Sequence, residues 1–171
     1  NDWMLHPITM KKTPLIFIAF FFFLCGLGED SHNIDFNRLA KIQSFMESSS
    51  GKNIGPRYEK TFEKRYSKTA IFKECANKHG ARSTASSFGE FQIILMVAWE
   101  NGFKESPEWL ANPVNNRVVY DHIIKKIAKK VGSKVDDLVE IGKRYNGSKK
   151  YGEKLIQLYK EYDENQTTSI S

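Results

Sequence analysis

Residues 89–101, Gly89-Glu90-Phe91-Gln92-Ile93-Ile94-Leu95-Met96-Val97-Ala98-Trp99-Glu100-Asn101, are apolar on nearly every side of a helical wheel. A helix that is hydrophobic all round belongs in an interior. The stretch therefore reads as a central buried helix, with Gly102 as its natural stop. The segments around it carry helical spacing with one apolar face each. In 35–47, Phe36, Leu39, Ile42, Phe45 and Met46 recur every three or four residues. Segment 69–79 ends at Gly80. Segment 113–131 starts at Pro113 after Asn112, a good first-turn arrangement. It turns Val119, Ile123 and Ile127 inward and Lys125, Lys126, Lys129 and Lys130 outward. Segment 135–145 follows Ser133 and stops near Gly147. Segment 151–162 sets Leu155, Leu158, Tyr159 and Tyr162 on one stripe. Loops 48–57, 80–88 and 146–150 are polar and contain glycine, and alternating strand patterns are almost absent. The fold class is mainly α.

The chain has 171 residues, 40% hydrophobic and 27% charged, with a formal net charge of +6. That suits one domain and argues against a disordered chain or a multispan membrane protein. Lysines on the outer face of an amphipathic helix read as a solvated face. With no recognition-helix signature, nucleic acid is not an expected partner.

The N-terminus reads as an address. Met10 looks like the natural start, and residues 1–9 have no assignable role. Lys11-Lys12, the apolar run Leu15 to Leu24 and the small-x-small end Gly26-Leu27-Gly28 form a secretory signal pattern. The run is short for a membrane span, which needs about 20 residues. Residues 1–28 are thus expected to be removed, with export to the periplasm or cell envelope. Residues 29–163 would form the domain and 164–171 a polar, frayed tail. Cys75 would be the one cysteine left, so the domain must be held by its core, with Cys75 as a buried small hydrophobe.

Three short motifs could carry chemistry. Glu47-Ser48 closes the first amphipathic helix. A carboxyl beside an apolar face loses hydration when ionised, so its pKa rises and it can act as a general acid. Gly89-Glu90-Phe91-Gln92 opens the buried segment; Gly89 permits close approach, and Gln92 needs a polar partner. Read alone, this motif is equally a capped helix start. Arg144-Tyr145-Asn146-Gly147 closes another helix, where Tyr145 and Asn146 could bind a sugar by stacking and amide hydrogen bonds.

In order and character the three motifs resemble the lysozyme-like domain of soluble lytic transglycosylases. There a helix ends in Glu-Ser, a later segment reads Gly-Leu-Met-Gln, and a third ends in Ala-Tyr-Asn. Pro56-Arg57-Tyr58-Glu59 with Phe62, Arg65 and Tyr66 is similar to an Arg-Tyr-Glu segment of some members. Asn112-Pro113 and Asp136-Asp137-Leu138 are similar to other helix starts of the family. The resemblance spans roughly 36–160 and implies a goose-type, lysozyme-like helical fold with a substrate cleft. It implies cleavage of the β-1,4 bond between N-acetylmuramic acid and N-acetylglucosamine in peptidoglycan, leaving a 1,6-anhydro end. Glu47 would be general acid and then base; Ser48, Gly89, Phe91, Gln92, Tyr145 and Asn146 would bind substrate or position Glu47. No metal or cofactor is required, and a monomer is expected.

Two departures stand out. Leu-Met of the family is Glu90-Phe91 here, with Phe91 as an apolar wall and Glu90 either in solvent or a second carboxylate. Ala of the third motif is Arg144, expected to face out. A hydrolytic muramidase or a non-catalytic peptidoglycan-binding module are the other readings. The setting (wall turnover, a secretion or conjugation apparatus, phage entry) is open at this level.

Overall fold

The computed structural model describes residues 33–168. Residues 1–28, expected to be a removed signal segment, lie outside the described residues. The first helix, α1 (Phe36–Ser48), starts where the Asp35 carboxylate accepts from the backbone N–H groups of Asn37 (2.8 Å) and Arg38 (3.3 Å). It stops abruptly because Ser49, Ser50 and Gly51 all take left-handed φ values of 53°, 58° and 79°. The two serines cost roughly 1 kcal/mol each in that conformation. Ser48 Oγ accepts from the Gly51 N–H at 2.8 Å and locks the turn. This leaves Glu47 on the last turn of α1.

The chain then runs through β1 (Arg57–Tyr58), α2 (Lys60–Tyr66), α3 (Ala70–His79) and the single turn α4 (Ala81–Thr84). Strands β2 (Ser86–Phe88) and β3 (Ile93–Ile94) follow, then α5 (Leu95–Glu100), α6 (Pro107–Ala111) and α7 (Pro113–Val131). A 3-10 turn (Val135–Asp137) leads into α8 (Leu138–Asn146) and α9 (Lys149–Thr168). The protein is mainly helical, as the periodicity implies, with α7 bounded where the sequence places it. The expected frayed tail is helical as far as Thr168.

The quoted stretch 89–101 departs from expectation. Only Leu95–Glu100 is helical, while Ser87–Phe88 and Ile93–Ile94 pair antiparallel and β1 lies along the other edge of β2. Gly89 (φ 73°) and Gln92 (φ 46°) are left-handed, and the Gln92 N–H donates to the Gly89 carbonyl at 3.1 Å. The Gly89–Gln92 motif is therefore a hairpin turn and not a helix N-terminus. A short apolar run bounded by glycine satisfies strand and helix equally by periodicity, and two β-branched residues tip it to strand.

The main core joins Leu39 and Ile42 of α1 to Leu95 and Trp99 of α5, Tyr120 and Ile124 of α7, and Leu155 and Tyr159 of α9. A smaller cluster under α2 centres on Phe72, Ala85 and Met96. Cys75 is buried and free. Phe45, expected on the inner face of α1, is 56% exposed, and its place inside is taken by Gln43 and Ser44.

One polar side chain holds the hairpin in place. Asn116 of α7 is fully buried; its Oδ1 accepts from the Phe91 N–H at 2.8 Å, and its Nδ2 donates to the carbonyls of Phe88 and Leu110, each at 3.0 Å. A Cβ on Gly89 would lie 2.5 Å from the Asn116 side chain, so this approach requires glycine. Between α8 and α9, a Cβ on Gly152 would meet the Val139 carbonyl at 2.0 Å, and one on Gly142 would meet Gly152 at 2.7 Å. The two helices pack at backbone contact.

Asn116→Ala strands three buried backbone groups. At about 1 kcal/mol for each, roughly 3 kcal/mol is expected to be lost. That should lower Tm by about 10 °C in a domain of this size, measured by thermal unfolding followed by circular dichroism.

Candidate active site

Glu47 projects from the last turn of α1 into a cavity of about 590 Å³. The β-hairpin and β1 supply Arg57, Ser87, Gln92 and Ile93 to its wall. The α2 region adds Glu59, Phe62, Arg65 and Tyr66, and the end of α8 adds Arg144, Tyr145 and Asn146. Val97 and Ile123 continue the wall with apolar surface. The site is thus a groove between the ends of α1 and α8 on one side and the β1–α2 segment on the other.

The Glu47 side chain is only 6% exposed, and its Oε1 is buried with no hydrogen-bond partner. Burial is the main influence on its pKa and raises it above the ordinary 4.5. The hydroxyl of Tyr151 and, less strongly, the amide of Asn146 face the carboxyl and pull the value part of the way back. The Arg57 guanidinium, 4.0 Å from Oε2, also lowers it, while Glu59 raises it. Arg57 is more than half exposed and also holds Glu59 at 2.7 Å, so its pull on Glu47 is screened and shared. The balance leaves a carboxyl that gives up its proton reluctantly, at the wall of an open groove.

The structure brings Glu47, Gln92, Tyr145 and Asn146 of the sequence-derived set to this cavity. Gln92 is satisfied within the protein: Ser87 Oγ donates to its Oε1 at 2.9 Å, and its Nε2 donates to the Gly89 carbonyl at 2.8 Å. Tyr145 donates its hydroxyl to the Phe91 carbonyl at 2.7 Å, and burial pushes its pKa well up. Ser48, Gly89, Phe91 and Glu90 do not line the cavity. Ser48 terminates α1, and Gly89 gives Asn116 room. Phe91, expected as an apolar wall, lies in the core, stacked on Tyr120 with ring centroids 4.0 Å apart. Glu90, half-buried, is neither in solvent nor in the cleft: its Oε1 accepts from the Ser44 hydroxyl on the inner side of α1. Arg144 is exposed, as expected, and pairs with Glu140 at 2.9 Å, yet it also borders the groove.

Sequence reasoning passed over Tyr151, which faces Glu47 from the first turn of α9. Its signal was its place four residues before Leu155 on the apolar stripe. Burial and the neighbouring Glu47 push its hydroxyl pKa up, so it is a neutral donor at any working pH. Searches against protein families, curated proteins and solved structures find no match for this chain.

The folded protein holds the Glu47 proton to higher pH than the unfolded chain does. Its ionisation therefore costs stability, beginning as pH rises past the unfolded value near 4.5 and complete above the folded one. Glu47→Gln should accordingly raise the urea midpoint at pH 8, with the gain shrinking as pH falls through the carboxylate range. An advantage independent of pH would mean that Glu47 titrates normally.

Proposed function

We propose that the protein is a peptidoglycan lytic transglycosylase with a lysozyme-like helical fold, and that Glu47 is its catalytic residue. The observation that carries this reading is the desolvated carboxyl of Glu47, with Oε1 unengaged, on a groove lined by aromatic and amide side chains. A carboxyl whose pKa is raised by burial is suited to give its proton to a glycosidic oxygen as a general acid. In the proposed reaction Glu47 donates its proton to the leaving oxygen as the anomeric C–O bond breaks. The resulting carboxylate removes the proton of the muramic acid 6-hydroxyl, whose oxygen closes on the anomeric carbon. The bond broken is replaced by an internal one, and no water enters.

One carboxyl suffices for this chemistry because the nucleophile belongs to the substrate. Hydrolysis by a muramidase would call on a second acid. Glu59 and Glu100 share the cavity with Glu47, and the candidate for that role is Glu59, which acts on the Glu47 carboxyl, and not Glu90. Asn146 and Tyr145 are suited to an acetamido group and a sugar face. The basic balance of the chain and the export expected from residues 10–28 fit an anionic wall polymer outside the membrane.

Digestion of purified peptidoglycan, with the sugar ends identified by mass spectrometry, tests the reading. Muropeptides one water lighter than hydrolysed ones are expected, with the rate falling by at least about 100-fold in Glu47→Gln. Hydrated reducing ends would make the enzyme a muramidase and predict a comparable loss in Glu59→Gln. Retained binding without any product would leave a binding module.

A further inference from the structure

Behind Glu47 lies a chain of buried polar groups that the proposed reaction does not itself require. Gln43, one turn before Glu47 on α1, is fully buried, as is Tyr120 of α7. Tyr120 donates its hydroxyl to Gln43 Oε1 at 2.6 Å. Gln43 Nε2 in turn donates to the Tyr151 hydroxyl oxygen at 3.3 Å. We propose that Tyr120 and Gln43 aim the hydroxyl proton of Tyr151 at the Glu47 carboxyl, and so act as positioning residues for it.

The direction follows from donor and acceptor counting. An amide NH2 can only donate, and an amide oxygen can only accept. With its oxygen engaged by Tyr120, Gln43 presents only N–H to Tyr151. The Tyr151 oxygen must accept there, which leaves its single proton free for the Glu47 carboxyl that it faces. Tyr120 cannot easily turn away, since its ring is stacked on Phe91 and lies edge-on to Tyr145 at 5.9 Å. The remaining groups acting on Glu47 are Arg57 and Glu59 from the β1 region and Asn146 and Tyr145 from α8. Aimed this way, Tyr151 steadies the ionised carboxylate that exists between the two proton transfers, and it holds the rotamer of the group. The inference concerns the same carboxyl as the proposed reaction, but it is tested in the resting protein.

Removing the Tyr120 hydroxyl frees the Gln43 amide to rotate and offer Oε1 to Tyr151, whose proton then turns away from Glu47. Glu47 titration, followed by NMR of the side-chain carboxyl carbon in glutamate-labelled protein and assigned with Glu47→Gln, reads this directly. Tyr120→Phe should raise the Glu47 pKa as much as Tyr151→Phe does. Adding Gln43→Met to Tyr120→Phe removes the competing acceptor and should return the value toward wild type. An unmoved Glu47 pKa in folded Tyr120→Phe, or no recovery in the double variant, overturns the proposal. The wild-type protein supplies a check that needs no variant: nuclear Overhauser contacts should link the Gln43 amide protons to the ring of Tyr151 and not to that of Tyr120. The reverse pattern also overturns it. Peptidoglycan digestion is scored separately, so loss of the proposed activity and loss of this relay are distinguishable.

Discussion

A single buried amide, that of Asn116, decides where the floor of the groove lies. Its three hydrogen bonds reach both sides of the hairpin turn and the end of α6. A long helix such as α7 is stiff, so anchoring the turn to it fixes the turn relative to the core. From that anchored turn Gln92 faces the cavity, and the Phe91 carbonyl receives Tyr145. The α8 terminus is thereby registered against the hairpin. Had Asn116 been apolar, the Phe91 N–H and the carbonyls of Phe88 and Leu110 would lose these buried partners.

The second constraint is closeness. Gly142 and Gly152 let α8 and α9 meet at their backbones, which no pair of larger side chains would permit. The short turn between these helices then carries Asn146 on one side and Tyr151 on the other, both directed at the end of α1. Glu47 is consequently met from two helices at once. Its burial arises from this convergence rather than from Phe45, which packs in a separate surface groove with Lys41, Leu158 and Tyr162.

What was legible in the sequence divides along these lines. Helices that announce themselves by a cap and a stop, such as α7 between Asn112-Pro113 and Gly132, were readable to the residue. Glu47 at a helix end beside apolar residues was legible as a carboxyl prone to desolvation. The strands were not, because two or three residues leave no period to detect, and the apolar run after Gly89 satisfied a helix equally well. Membership of a motif also does not reveal which way a side chain faces. Gln92, Tyr145 and Asn146 reach the cavity, whereas Ser48, Gly89, Phe91 and Glu90 serve the turns and core that carry it. Gln43 and Asn116 were invisible for a simpler reason: each is a polar residue on a mostly apolar face, and its meaning lies in partners remote in sequence.

The arrangement concentrates its unfavourable terms in one place. Two non-glycine residues, Ser49 and Ser50, take left-handed conformations just past the end of α1, and the Glu47 carboxyl is buried with one oxygen unengaged. These costs total a few kcal/mol and are tolerable only because the surrounding polar groups are satisfied. Gln92 has its partners in Ser87 and Gly89, Tyr145 in Phe91, and Gln43 in Tyr120 and Tyr151. Beside these satisfied groups, the unengaged oxygen of Glu47 has most to gain from a ligand. In the proposed reaction that asymmetry would bring the glycosidic oxygen to the Glu47 carboxyl, whose burial favours its protonated form.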